Sequence, residues 1–273
     1  MPSSMPPTAR PLSRLRAAVL CGAVSVLLFG GCASTGNPRD PLEPFNRGIY
    51  QFNDDVDKAF IKPAAEFYRF ILPDFMRTGV SNFFSNINDV IVALNSLLQG
   101  KLTQAGSDAA RLIINSTVGL VGLIDVATEI GLEKHNEDFG QTLGFWGIGD
   151  GPYLVLPLLG PSSARDAVGW FGDYYMWPIG YVESDLTRNL LIAVRFVAGR
   201  ADLLEASRIL ETAALDPYEF VRDAFLQRRR NLVYDGKPPP DDDDFVDEAK
   251  PTPKAVEPAS PAPVEPAGEA PKP

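Results

Sequence analysis

The sequence is short of the residues that enzymes most often use for acid–base and metal chemistry. It has one His, His135, and two Cys, Cys21 and Cys32. A zinc site needs several nitrogen or sulfur ligands, which this inventory does not supply. The glycines after His135 begin a G-x-G pattern at Gly147, but Pro152 stands where a dinucleotide loop has its third glycine, and no G-x-S-x-G elbow of a serine hydrolase occurs. We therefore predict no catalytic residues, no metal site and no cofactor.

Long apolar runs and an excess of positive charge are also missing. No apolar run reaches the ~20 residues that a helix needs to cross a bilayer. The formal net charge of −10 argues against nucleic acid as a partner and against simple electrostatic attachment to anionic lipid. Residues 235–273 are rich in proline and contain the acidic run Asp241 to Asp244. Such a composition buries too little apolar surface to fold, so we predict a disordered acidic, Pro-rich tail.

The N-terminal segment has the pattern of an export signal. Arg10, Arg14 and Arg16 precede the apolar stretch 17–29, and two glycines precede Cys32. This order resembles the lipobox of bacterial lipoproteins, in which the signal is removed and the cysteine receives a lipid. We predict a signal peptide over 1–31, a lipid anchor at Cys32 and a lipid-anchored linker over 32–40. A secretory signal cut elsewhere and an uncut anchor are the alternatives.

Helical periodicity covers most of the region 41–234. Phe45, Ile49, Phe52, Val56 and Phe60 follow one another at spacings of three and four, which places them on one face of a helix. The pattern predicts further helices over 64–72, 75–98, 102–115, 164–177, 185–213 and 217–232. Pro63 marks a break or a new first turn, and Pro73 marks a break. Residues 153–159 could form a strand, although Pro157 argues against a central one. The fold class is therefore all-α, either as helices lying in one membrane leaflet or as a periplasmic bundle.

Three segments together resemble a known family. They are Asp40-Pro-Leu-Glu-Pro-Phe-Asn-Arg47 with Tyr50-Gln-Phe-Asn53, then the segment from Asn115 to Ala127, then Asp138-Phe-Gly-Gln-Thr-Leu-Gly144 with residues 149–157 and Arg165-Asp166. In combination they are similar to the MlaA (VacJ) family of outer-membrane phospholipid-transport lipoproteins. The similarity covers roughly residues 40–230 and excludes the signal and the tail.

The resemblance implies a ring-shaped single domain, 41–234, of amphipathic helices that lie in the inner leaflet of the outer membrane around a central channel. It implies that phospholipid misplaced in the outer leaflet passes through this channel to a periplasmic phospholipid-carrier protein, which maintains outer-membrane lipid asymmetry. Outer-membrane trimeric porins are the implied partners, and no covalent chemistry is implied. The alternative is a structural porin-associated envelope lipoprotein that moves no lipid.

The matched motifs also give candidate site residues. The candidate channel or lipid path comprises Asn115, Gly119, Gly122, Asp125, Phe139, Gln141, Thr142 and Gly144. The N-terminal helix motif of the family contributes Tyr50, Phe52 and Asn53. For the segment 115–127 a buried core helix is the alternative to a channel wall.

A hydrolase is the third function considered. It would depend on His135, because no other residue could act as the base of a Ser-His-acid triad. The surrounding Glu133-Lys-His-Asn-Glu-Asp138 is typical of a polar surface turn. We expect His135→Ala to leave function intact, measured as normal phospholipid asymmetry in cells. Complete loss of function at a normal protein level would instead favour the hydrolase.

Overall fold

The computed structural model describes residues 40–239. The predicted signal peptide 1–31, the predicted anchor Cys32, the linker up to residue 39 and the tail from residue 240 lie outside the described residues. The described residues up to Lys237 belong to one compact unit.

In this part of the chain, helices follow one another with one pair of strands among them, which confirms the predicted helical class. The helices are α1 (Glu43–Val56), α2 (Lys62–Ile71), α3 (Asp74–Leu98), α4 (Leu102–Thr117), α5 (Val126–Glu129), α6 (Phe139–Phe145), α7 (Ala164–Met176), α8 (Asp185–Asp202), α9 (Leu204–Ala213) and α10 (Pro217–Val233). A π-helical turn, Asp57–Ile61, joins α1 to α2, and a 3-10 turn, Pro178–Tyr181, follows α7. The strands are β1 (Tyr153–Leu156) and β2 (Gly160–Ser163).

Of the two alternatives at Pro63, a break or a new first turn, the structure shows a first turn that continues the helix before it. Pro63 lies in the first turn of α2, and the backbone N–H of Lys62 donates to the carbonyl of Asp57, five residues earlier. A proline has no N–H to give and crowds the preceding turn. The wider π-helical turn accommodates both effects, so α1 and α2 form one continuous helical path. The break at Pro73 is confirmed, since α3 begins at the next residue.

Helices α3 and α4 form an antiparallel pair whose interface is polar. Gly100, at φ 75°, closes the connection, and the N–H of Lys101 donates to the Ser96 carbonyl at 2.9 Å. The buried side chains on this face of α3 are mainly polar, and the three buried residues of α4 are all polar or charged: Asn86, Asp89, Asn95 and Ser96 from α3, and Asp108, Arg111 and Asn115 from α4. Such groups must hydrogen-bond to one another to be buried.

Arg111 is the centre of this interface and is 1% exposed. Its Nη2 donates to both carboxylate oxygens of Asp125 at 3.0 Å, and its Nη1 donates to the hydroxyl of Thr128. Asn115 also donates to Asp125, at 2.9 Å. The network holds the turn 118–124 and the short helix α5 against α4.

The strand considered possible over 153–159 forms as β1, and it pairs in an antiparallel hairpin with β2, which the sequence did not predict. Tyr153 pairs with Ser163 and Leu156 with Gly160, so Pro157 lies in the connecting loop, where it disrupts no strand. Asn46 of α1 bonds to the hairpin twice: its Nδ2 donates to the Tyr153 carbonyl at 3.0 Å, and its Oδ1 accepts from the Val155 N–H at 2.9 Å. Asn53, about two turns further along α1, makes the same pair of bonds: its Nδ2 donates to the Leu156 carbonyl and its Oδ1 accepts from the Leu158 N–H.

The single helix predicted over 185–213 is two helices, α8 and α9. They meet at Leu203, whose φ of −92° and ψ of −3° depart from the helix between Asp202 and Leu204. The apolar residues of both helices keep the helical spacing, so the sequence does not reveal the single distorted residue between them.

Many large apolar side chains of the described residues point outward. Phe60, Phe67, Phe70 and Phe75, along α2 and its flanks, are between 63% and 86% exposed. Within residues 40–239, no helix is long and apolar enough to cross a membrane. A contiguous exposed apolar surface of this kind marks a site of contact with a membrane or another protein.

Replacing Asn46 with Ala should destabilise the domain through the hairpin. Asn46 is 0% exposed, and its loss leaves buried backbone groups of Tyr153 and Val155 and one oxygen of Asp40 without this partner. We expect a loss of about 2–4 kcal/mol in the free energy of unfolding. Denaturant unfolding in detergent measures it. Gln51→Ala, on the exposed face of the same helix, is the control; a similar loss for both variants would contradict the assignment.

Candidate functional site

A cavity of about 1480 Å³ lies within the compact unit. Its wall is formed by α1 and the π-helical turn, the β-hairpin, the segment before α6, and helices α7 to α10. Ligand sites for drug-sized molecules measure about 300–1,000 Å³. This cavity is therefore suited to a larger ligand.

The wall combines aromatic and aliphatic groups with charged ones. Trp170 and Tyr174 stack at 5.7 Å between ring centroids, and Tyr50 meets Tyr218 edge to face at 5.6 Å. Ile192, Phe196 and Leu203 come from one face of α8 and its end. A surface with both characters can contact a molecule that is itself polar at one end and apolar at the other.

Most charged groups of the wall are paired. The Arg200 guanidinium donates to both carboxylate oxygens of Asp57 at 2.7 Å, which ties α8 to the π-helical turn. Arg229 of α10 bridges Asp138 and Asp166, with Nη2 donating to Asp166 at 2.7 Å. Burial opposes the charged form of Asp138, yet the hydrogen bonds and charge of Arg229 hold the pKa of Asp138 below its usual value.

Asp173 of α7 is the exception among the acids of the wall. Its Oδ1 accepts from the N–H of Phe139 at 2.9 Å and from Nδ2 of Asn95 at 3.1 Å, but it has no cationic partner. Burial, followed by the negative charge of Asp138, raises the pKa of Asp173 to about 7. Near pH 7, the Asp173 carboxyl is consequently protonated and neutral in about half of the protein molecules.

The N-terminal motif divides between the cavity and the outer surface. Tyr50 and Asn53 line the cavity, whereas Phe52 is exposed on another face of α1. Asn53 also holds the hairpin loop, so it has a structural contact in addition to its place on the wall.

The four candidates between residues 115 and 125 do not line the large cavity. Asn115 and Asp125 border a small polar pocket beside Arg111. Gly119 and Gly122 shape the turn 118–124: a Cβ at Gly119 would overlap the carbonyl oxygen of Ile124, and Gly122 has a φ of 87°. This segment is an exposed apolar turn and not the buried core helix considered as the alternative.

The candidates on α6 have mixed positions. Gln141 lines the cavity, and Thr142, fully buried, donates its hydroxyl to Asn95 at 2.8 Å. Phe139 packs beside Gly172, and Gly144 leaves room for Arg165 and Val233. Phe139, Thr142 and Gly144 thus hold α6 against α7, α3 and α10.

The sequence predicts a polar surface turn at His135, but the side chain is partly buried and has a partner. Its Nδ1 lies 2.8 Å from Oδ1 of buried Asp108, and the hydroxyl of Ser96 donates to the other oxygen of Asp108 at 3.1 Å. The acid therefore lies between the Ser and the His. In a hydrolase triad the His lies between the other two, where it can take the proton of the Ser.

Sequence reasoning missed the charged groups of the cavity, including Asp57, Asp173, Arg195, Arg200 and Arg229. The available signal was the spacing of Ile192, Arg195, Phe196 and Gly199 on one face of a helix. That spacing indicates a shared face but not what the face contacts.

Fold and cavity together define a class: a helical protein that encloses a large amphipathic cavity, without a spanning helix in the residues described. The family model described as MlaA lipoprotein matches residues 38–232. The chain belongs to the MlaA lipoprotein family.

Two relatives carry the name intermembrane phospholipid transport system lipoprotein MlaA. The one from Escherichia coli K12 is 35% identical over 226 residues, covering 79% of this chain and 88% of that protein. The one from Haemophilus influenzae is 30% identical over 230 residues, covering 80% and 91%. A solved chain, from work on the structural basis for maintenance of bacterial outer membrane lipid asymmetry, is 34% identical with a TM-score of 0.63, covering 71% of this chain and 98% of the solved one.

Asp173→Asn should remove a pH dependence of stability. The folded-state pKa of about 7 lies above the ordinary value of about 3.9, so the folded protein binds this proton more tightly than the unfolded chain does. The stabilisation that results is lost as the pH rises from about 4 through 7. Asn retains an oxygen that can accept from Phe139 and Asn95. Between pH 5 and 8, the free energy of unfolding should fall by about 2–3 kcal/mol more in the wild type than in the variant.

Denaturant unfolding in detergent at the two pH values provides the measurement. Asp55→Asn, which alters an exposed carboxylate on α1, is the matched control and should retain the wild-type pH dependence. The same pH dependence in wild type and Asp173→Asn would refute the assignment.

Proposed function

We propose that this protein is the lipid-anchored outer-membrane component of an intermembrane phospholipid transport system. Phospholipid misplaced in the outer leaflet enters the cavity and leaves it for a periplasmic phospholipid-carrier protein, so that the lipid asymmetry of the outer membrane is maintained. The protein acts as a passive conduit, and no covalent step takes place in it.

The observation that carries this proposal is the size and mixed character of the cavity. Its volume of about 1480 Å³ exceeds that of sites for small metabolites, and aromatic, aliphatic and charged side chains share its wall. A phospholipid needs both kinds of surface at once. Each acyl CH₂ exposed to water costs about 0.8 kcal/mol, so an apolar wall lowers the barrier to leaving the bilayer.

The exposed apolar surface supports placement in one leaflet. Phe67, Phe70 and Phe75 project from helices that do not span a membrane, and such helices are stable when they lie parallel to the bilayer with their apolar side chains among the lipids. We place this surface in the inner leaflet of the outer membrane, with acylated Cys32 as a second attachment. The diacylglycerol that a lipobox cysteine receives has two acyl chains, which anchor a protein stably, and the apolar surface adds a second contact with the same leaflet.

Among the candidate residues, we assign lipid contact to Tyr50, Asn53 and Gln141, which line the cavity. Asn115, Gly119, Gly122 and Asp125 shape the turn 118–124 and its support. Phe139, Thr142 and Gly144 hold the wall at α6. The exposed turn 118–124 and the apolar outer surface are available for contact with a trimeric porin, the partner that the resemblance implies.

Photo-crosslinking tests the lipid path. A photoreactive amino acid in place of Phe196 or Tyr50 should label phospholipid in the purified, detergent-solubilised protein, because both residues line the cavity. Mass spectrometry of the labelled protein gives the lipid-modified fraction. The same probe at Gln227, exposed on α10 outside the cavity wall, is the control and should give little lipid adduct.

A probe at Phe70, on the outer surface, distinguishes transport from simple membrane attachment. Label at Phe70 without label at Phe196 or Tyr50 would mean that lipid surrounds the protein but does not enter it. That result would favour the structural, porin-associated lipoprotein over the conduit.

A further inference from the structure

One cation of the cavity wall is partly buried and, within residues 40–239, has no counter-charge. Arg47, Lys58, Arg200 and Arg229 each contact a carboxylate within 3 Å. Arg195 and Arg228 also line the cavity, but among the described residues neither has a carboxylate or a hydrogen-bond partner. Arg228 is exposed, so water solvates its charge, whereas Arg195 is partly buried.

The surroundings of Arg195 fix its position without neutralising it. Its guanidinium carbon lies 4.9 Å from the centroid of the Trp177 ring, a cation–π contact that holds the side chain at the junction of α7 and α8. Burial lowers the pKa of Arg195. Placing a charge away from water without a partner is unfavourable, so the protein maintains an arrangement that an incoming anion would stabilise.

Nearby acids of the wall are not available to Arg195. Asp57 is bound by Arg200, and Asp138 is bound by Arg229. Asp173 accepts from Asn95 and the backbone of Phe139. An anionic ligand in the cavity would therefore supply a counter-charge that these acids do not.

We propose that Arg195, held by Trp177, is a subsite for the phosphodiester of a phospholipid head group. This inference rests on the proposed function and deepens it by naming the group of the lipid that is recognised. The planar guanidinium can donate two parallel hydrogen bonds to phosphate oxygens. Ile192 and Phe196, one turn before Arg195 and next to it, also line the cavity and provide apolar contact for the part of the lipid below the phosphate.

The test compares two lipids that differ only in the phosphate head group. The full-length protein in detergent is incubated with photoreactive phosphatidylglycerol or with diacylglycerol of the same acyl chains, and the labelled fraction is measured. A charge-assisted hydrogen bond predicts that wild type prefers phosphatidylglycerol by about tenfold. Arg195→Gln should abolish this preference, and Arg195→Lys should retain part of it.

Arg208→Gln is the matched control. Arg208 lies exposed on α9, pairs only with Glu205 and does not line the cavity, so its replacement should leave the preference unchanged. Inorganic phosphate at the same concentration as the lipid should not compete. If it removes the preference, the subsite is one for free phosphate and the head-group assignment is overturned.

The remaining outcomes separate this inference from the proposed function. If wild type binds both lipids equally, or if Arg195→Gln keeps the tenfold preference, the phosphate subsite is refuted while lipid transport stands. If wild type binds neither lipid, both proposals fail.

Discussion

The fold depends on burying charged and polar groups between helices while large apolar side chains face outward. Arg111 and its bidentate contact with Asp125 show this most clearly, because the guanidinium is 1% exposed at the interface of α3 and α4. A buried ion pair adds little net stability over an apolar pair, but breaking one leaves an uncompensated charge at a cost of about 3–5 kcal/mol. The interaction therefore specifies how the turn 118–124 and α5 meet α4.

The same principle shapes the cavity wall. Helices whose apolar faces point outward cannot form a large hydrophobic core around the centre. The apolar core cluster of the described residues is accordingly small and is built on Tyr153, Val155 and Tyr218. Pairs such as Asp57 with Arg200, and Asp138 with Arg229, connect distant elements across the space that remains. Because those charges are satisfied by one another, the few that are not, Asp173 and Arg195, gain distinct chemistry from their surroundings.

Sequence patterns predicted most helices because each has a regular spacing of apolar residues, and Pro73 and Gly100 ended helices as expected. They left open whether Pro63 breaks the helix, which a π-helical turn continues, and whether 153–159 forms a strand. They missed β2, because strands this short show no clear alternation. The family motifs marked residues that the structure brings near the cavity, such as Tyr50 and Gln141, together with others that support the turn 118–124. A motif records that a residue is needed but not whether it touches the ligand or holds the wall.

The sequence by itself determined the helical class, the membership of the MlaA lipoprotein family and the shortage of residues for acid–base or metal chemistry, since these follow from local periodicity, motifs and composition. Only the tertiary structure decided which charges are paired. Asp57 and Arg200 are far apart along the chain, as are His135 and Asp108, and no local pattern links them. Whether an arginine is neutralised, as Arg229 is, or left facing the cavity, as Arg195 is, depends on which helices pack together, because electrostatic partners are set by distance in space.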